Sequence, residues 1–229
     1  MFRRNGLVQN LPVGSALSAL VTSLENWDHP HVPRHVLDAL PIDLVERHRI
    51  VLHVRHLWER RGDAVPPDLS RRFEELAYRR NFLEQELSEV AREATGRRLR
   101  FALIKGFAFE SYYPRGYARD FGDLDLVVPS LEEFDAFLDL LHGRGYHVGS
   151  AIVALRPQVP GASPCVGVAV ENQGSDARHA CKVDLSAGGH FISHLTFCAI
   201  PDSLWHEPPT ISLRGVPIPI LPVVHNFVL

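Results

Sequence analysis

The sequence predicts an α+β protein, with an N-terminal helical segment over residues 1–97 and a mixture of short strands and helices from 98 to 229. Three observations carry this expectation. Apolar residues recur at helical spacing before residue 97. Beyond Leu99 the apolar stretches shorten to strand length and are bounded by glycine and proline. In one of those stretches acidic and aliphatic residues alternate, which is the period of a strand.

In the leader, Leu44, Val51, Val54, Leu57 and Trp58 fall on one face of a helix expected over Ile42 to Arg61. Pro66-Pro67 interrupt the chain. Asp68 is then expected to cap a long helix with the stripe Leu69, Phe73, Leu76, Leu83, Leu87, Val90 and Ala94, ending at Gly96. The second segment opens with a strand at Phe101–Ile104. Lys105-Gly106 turn the chain into a short helix, Phe107 to Tyr113, which Pro114 stops. Leu124 to Val128 reads as a strand. Ser130 and Glu133 form a capping box for a helix from Leu131 to His142. Tyr146–Leu155 and Val166–Glu171 read as a hairpin around a Pro/Gly-rich loop, and Cys181–Leu185 as a further strand. Ile211–Leu213 and Val216–Ile220 flank the two-residue turn Arg214-Gly215. A helix is expected to begin at Leu221-Pro222. The apolar run up to Leu229 then invites further C-terminal helices or a protein partner to cover it.

The composition narrows the function classes. A net charge of −3 gives no basic footprint, so a nucleic-acid partner is not expected. There is no apolar run long enough for a membrane span or a signal peptide, so a cytoplasmic location is expected. Cys165, Cys181 and Cys198 form no C-x-x-C pair, which removes a zinc or disulfide framework. The chain has 22 Arg but only two Lys, Lys105 and Lys182, and both lie beside the acidic residues considered next.

In Gly122-Asp123-Leu124-Asp125-Leu126-Val127-Val128, strand parity projects Asp123 and Asp125 to one face and Leu124 and Leu126 to the other. Neighbouring carboxylates repel unless a cation lies between them. Hard oxygen ligands in this number suit Mg²⁺, with Mn²⁺ as a substitute. By the same parity, Lys182 and Asp184 share a face of their strand, so Asp184 is the candidate third ligand. Lys105 and Gly106 sit where a backbone turn and an ammonium can meet a phosphate. Arg119, four residues before Asp123, either clamps a phosphate or pairs with Asp120. Read as structure alone, these features are an acidic strand end, a plain strand-to-helix turn and a surface Lys–Asp pair.

The block Leu103-Ile104-Lys105-Gly106-Phe107-Ala108, then Tyr113-Pro114, Arg119 and Gly122 through Val128, resembles the uncharacterised bacterial nucleotidyltransferases, a branch of the DNA polymerase β-like superfamily. Further on, Gly145-Tyr146, Val183-Asp184-Leu185, Leu204-Trp205 and the Gly215 hairpin follow in similar order. The resemblance covers residues 99–229. It implies a polymerase β-like core, a small mixed sheet flanked by helices. It also implies that Asp123, Asp125 and Asp184 hold Mg²⁺ on a nucleoside triphosphate, while Lys105, Gly106, Arg119 and Lys182 contact the nucleotide. An NMP group would then pass to a small-molecule, peptide or protein acceptor. Two departures stand out: Phe107 replaces the small residue usual in the turn, and Ser186 follows Val-Asp-Leu where histidine is common. Rival readings are a nucleotide-binding subunit without catalysis and a D-x-D glycosyltransferase. Among the thirteen histidines, His179, His190 and His194 bracket the Asp184 strand and are candidates for an acceptor-side base.

Overall fold

The computed structural model describes residues 18, 32–38, 40, 42–47, 51–112, 121–154, 165–172, 180–193 and 196–222. The chain divides into two compact units, Met1–Ala77 with Pro114–Asp120, and Tyr78–Tyr113 with Phe121–Leu229.

The first unit is helical. Helices α1 (Arg34–Asp38), α2 (Ile42–Arg47) and α3 (Val51–Arg61) precede α4 (Pro67–Gly96), whose residues up to Ala77 belong to this unit. Val36, Leu37, Val45, Val51, Val54, Leu57, Trp58 and Phe73 form its core. The expected stripe Val51, Val54, Leu57, Trp58 is therefore the buried face of α3. Helix α4 starts at Pro67, so Asp68 lies in its first turn instead of capping it. Proline suits the first helical position because the amide it lacks has no helical partner there.

The second unit is built on a five-stranded mixed sheet of order β1-β2-β5-β4-β3. The strands are β1 (Ala102–Ile104), β2 (Asp123–Val128), β3 (His147–Ala154), β4 (Cys165–Asn172) and β5 (Cys181–Ala187). Strands β2 and β5 run parallel, and the other neighbours are antiparallel. Helix α5 (Gly106–Glu110) follows β1, and α6 (Leu131–Gly143) connects β2 to β3. The capping box at α6 forms as its spacing predicts, with the Ser130 hydroxyl accepting from the Glu133 amide at 3.2 Å.

The sheet's two faces have different duties. Leu124, Leu126 and Val128 of β2 and Val183, Leu185 and Ala187 of β5 face the main core. There they meet Leu83, Leu87, Val90 and Ala94 of α4 and Phe134, Phe137, Leu140 and Leu141 of α6. The opposite face carries Asp123, Asp125 and Val127 on β2, and Lys182, Asp184 and Ser186 on β5. Its far end is closed by a second cluster of Ala102, Ile104, Val127, Ile200, Trp205 and Leu221.

Two further hairpins complete the unit. Strands β6 (Gly189–Ser193) and β7 (Thr196–Ala199) were read as no element in the sequence, and a 3₁₀ turn follows at Asp202–Trp205. Strands β8 (Thr210–Leu213) and β9 (Val216–Pro219) pair as expected around Arg214 (φ 50°) and Gly215 (φ 75°). Two consecutive left-handed residues match the twist of a tight hairpin. The helix expected after Leu221-Pro222 lies outside the described residues. Among the described residues no helix is long and apolar enough to cross a membrane.

Candidate active site

The register of the parallel pair builds the site. Asp123 lies opposite Lys182, and Asp125 opposite Asp184. On the other side Ile104 pairs with Asp125, and the left-handed turn that follows at Lys105 lets its side chain reach the same carboxylate. The structure thus brings together Asp123, Asp125, Asp184, Lys105 and Lys182. Arg119 and the Tyr113-Pro114 pair lie outside the described residues, as do His179 and His194.

Lys105 Nζ lies 3.2 Å from Asp125 Oδ1, and Lys182 Nζ lies 3.0 Å from Asp184. Asp125 is buried at 7% exposure. Burial is the largest influence on its carboxyl and pushes the pKa up to about 6. Lys105 opposes that rise, whereas the neighbouring Asp123 and Asp184 add to it. For Lys182, burial works to lower the pKa. The hydrogen bond and charge of Asp184, with Asp123 and Asp125, outweigh it and hold the ammonium above its ordinary range. Among the described residues no group of three or more His, Cys, Asp or Glu is arranged to hold a metal ion. Asp125 and Asp184 each face a lysine instead. The chemistry of the donor set still fits a hard divalent cation, because three carboxylates share this face and one is buried against its own charge.

The turn at Lys105-Gly106 is strained. Lys105 has φ 56° and ψ −155°, a conformation that side chains rarely adopt, and Gly106 has φ +40°. A methyl group at Gly106 would meet Phe121 at 3.6 Å, an ordinary contact, so the backbone conformation and not space requires glycine there. Helix α5 is only five residues long, which gives little macrodipole for an anion. The Phe107 of the sequence departure is fully buried, packs edge-on to Phe121 at 4.3 Å, and carries the Arg80 guanidinium 4.9 Å from its ring centre. It is a support for the turn.

One residue near the site, Arg79, carries no signal in the sequence, and another, Ser186, is marked there only as a departure from the family pattern. Arg79 donates to the Gly122 carbonyl at 2.7 Å and to the Ala180 carbonyl at 3.4 Å. It thereby ties the entries of β2 and β5 together, just before the residues that bear the carboxylates. Nothing in the sequence distinguishes it among the chain's 22 arginines. Ser186 is buried, and its hydroxyl has no hydrogen-bond partner among the described residues although it shares the Asp184 face.

Other residues of the motif blocks are structural. The Tyr146 hydroxyl donates to Glu86 Oε1 at 3.0 Å, and Arg144 Nη2 reaches Glu86 at 2.9 Å and Glu89 at 2.8 Å. This network ties α4 to the start of β3. Burial also pushes the neighbouring Cys181 thiol up to about 12, which leaves it an inert core group. Trp205 belongs to the apolar cluster that closes the far end of the carboxylate face.

Fold and site together define an α+β protein with a carboxylate cluster, countered by lysines, at one end of a mixed-sheet face. The chain belongs to the uncharacterised nucleotidyltransferase family, whose pattern it matches over residues 39–228. Among curated proteins none matches it. Membership supports nucleotidyl transfer as its general role.

Proposed function

We propose that this chain has a polymerase β-like core and is a Mg²⁺-dependent nucleotidyltransferase that moves an NMP group from a nucleoside triphosphate to a small-molecule, peptide or protein acceptor. The observation that carries this reading is the register of β2 and β5, which sets Asp125 opposite Asp184 with Asp123 on the same face. Asp123, Asp125 and Asp184 would hold Mg²⁺ (or Mn²⁺), which when bound supplies charge neutralisation at the triphosphate. Lys105 and Lys182 bind phosphate oxygens, the Gly106 turn lets the backbone approach them, and Arg119 supplies a further cation. The acceptor attacks the α-phosphorus, the bond to the β-phosphate oxygen breaks, and pyrophosphate leaves.

Calorimetry with ATP, CTP, GTP and UTP in Mg²⁺, on the wild type and Asp125→Asn, tests this. Tight binding by the wild type alone is expected. Equal binding by both proteins, or none by either, counts against the site. A second reading, nucleotide binding without transfer, is favoured by the lysine pairing of both Asp125 and Asp184. Pyrophosphate release across a panel of hydroxyl and amine acceptors separates the two. Family membership favours either over sugar transfer.

A further inference from the structure

We infer that Lys105 and Lys182 stand in for cations in the nucleotide-free protein, and so make the site selective for a divalent cation arriving with a polyphosphate over the free cation. This rests on the proposed nucleotidyltransferase reading and adds what the lysines do before substrate arrives.

The geometry gives each lysine a carboxylate that the proposed metal needs. Lys105 Nζ is 3.2 Å from Asp125 and Lys182 Nζ is 3.0 Å from Asp184. Asp123, Asp125 and Asp184 outnumber Lys105 and Lys182, and Glu171, opposite Lys182 on β4, adds a further carboxylate to the face. A free divalent cation entering there meets two ammonium groups already bound to its ligands. A cation entering with a polyphosphate offers each ammonium a new anionic partner. The ammonium groups then pass from carboxylate to phosphate oxygen, and the carboxylates are released to the cation.

The residue type fits such an exchange. An ammonium is a compact charge on a flexible stem, whereas a guanidinium fork grips a carboxylate through two bonds. A chain with 22 arginines has its only two lysines here. The two side chains are 32% and 40% exposed, so both ammonium groups meet solvent, although Asp125 itself is buried.

The test measures Mn²⁺ affinity at pH 8 by electron paramagnetic resonance, alone and with inorganic tripolyphosphate or ATP. The wild type, Lys105→Met and Lys182→Met are compared after circular dichroism has confirmed their fold. The wild type should bind Mn²⁺ at least roughly tenfold more tightly when tripolyphosphate is present. Each methionine variant should bind Mn²⁺ alone about tenfold more tightly than the wild type, because a unit charge some 3 Å from a carboxylate is worth at least that at a protein-like dielectric. Each should bind tripolyphosphate more weakly. The opposite signs are the signature, since a lysine that only binds phosphate or only supports the fold does not raise metal affinity when removed. If Lys105→Met does not fold, Lys182→Met and the wild-type coupling decide the question. A wild type that binds Mn²⁺–ATP while the variants gain no affinity for Mn²⁺ alone overturns this inference and leaves the nucleotidyltransferase reading standing. A wild type that binds neither metal nor nucleotide in any combination overturns both.

Discussion

Replacing Asp125 with asparagine should stabilise the metal-free protein at neutral pH while abolishing metal–nucleotide binding. The magnitude follows from the buried carboxyl. Its pKa rises from the ordinary 3.8 to about 6 in the folded protein. The folded state therefore binds this proton more tightly than the unfolded state. Above pH 6 the fold carries a penalty for the charged form of about 3 kcal/mol, and the penalty disappears as pH falls from 6 toward 4. Asparagine cannot ionise, so it removes that penalty, although its amide must still be desolvated. A net gain of about 1–2 kcal/mol is expected, or about 3–6 °C in Tm for a chain of this size. Melts in EDTA at pH 8, 6.5 and 5 check it. The variant should lead at pH 8, and the two proteins should converge at pH 5. If the Lys105–Asp125 pair is instead a net stabilising feature, Asp125→Asn melts lower at pH 8. A lower or pH-independent difference would refute the reasoning that this carboxylate is held against its own cost.

Three other outcomes are expected. His53 is fully buried, and burial with its neighbour His56 lowers its pKa to about 4. The unfolded chain thus takes up a proton between about pH 6.5 and 4 that the fold does not, and the first unit should lose about 3 kcal/mol over that window. Hydrogen exchange of the α3 amides at pH 7 and 5 reads this loss, and His53→Gln should flatten it. Gly106→Ala should cost about 1–2 kcal/mol from the left-handed backbone alone. It should also weaken nucleotide binding by displacing the turn, seen by melting and calorimetry together. Tyr146→Phe should lower stability by about 1.5–3 kcal/mol, because it removes a hydrogen bond to the buried Glu86 carboxylate. Metal–nucleotide affinity should be unchanged, and a loss of affinity there would make Tyr146 more than structural.

The elements that strong local signals mark were legible in the sequence. The Ser130–Glu133 box, the Arg214-Gly215 hairpin and the stripe of α4 each have a local cause that tertiary context does not override. Parity could place Asp123 with Asp125 and Lys182 with Asp184, because a strand's period is fixed. It could not show that Asp125 lies opposite Asp184. That register depends on β5 inserting between β2 and β4, a pairing of residues about sixty apart along the chain. The β6–β7 hairpin was missed because His194-Leu195, between its strands, carries no turn dipeptide such as Asn-Gly. The end of α4 at Gly96 was legible too, and the left-handed residue that follows it is Arg98, at φ 59°. Arg79 was invisible for a different reason: its role is to hold two backbone carbonyls, and no spacing in the sequence encodes that.

Three departures from local rules meet on one face of the sheet. Lys105 occupies a backbone conformation suited to glycine, Asp125 is a buried carboxylate, and Ser186 is a buried hydroxyl without a partner among the described residues. Across the sheet, the partly buried Glu86–Arg144–Tyr146 network has its hydrogen bonds made. A face that served only the fold would gain from an apolar residue at Asp125, since replacing a buried ion pair with packed apolar groups is often neutral or stabilising. Violations that cost stability and cluster in space are what a binding site leaves in a structure. The satisfied network shows that this chain can bury charge well where binding makes no demand. The cost of burying Asp125 is therefore better explained by a ligand that offsets it than by loose packing, and a divalent cation is the kind of ligand that would.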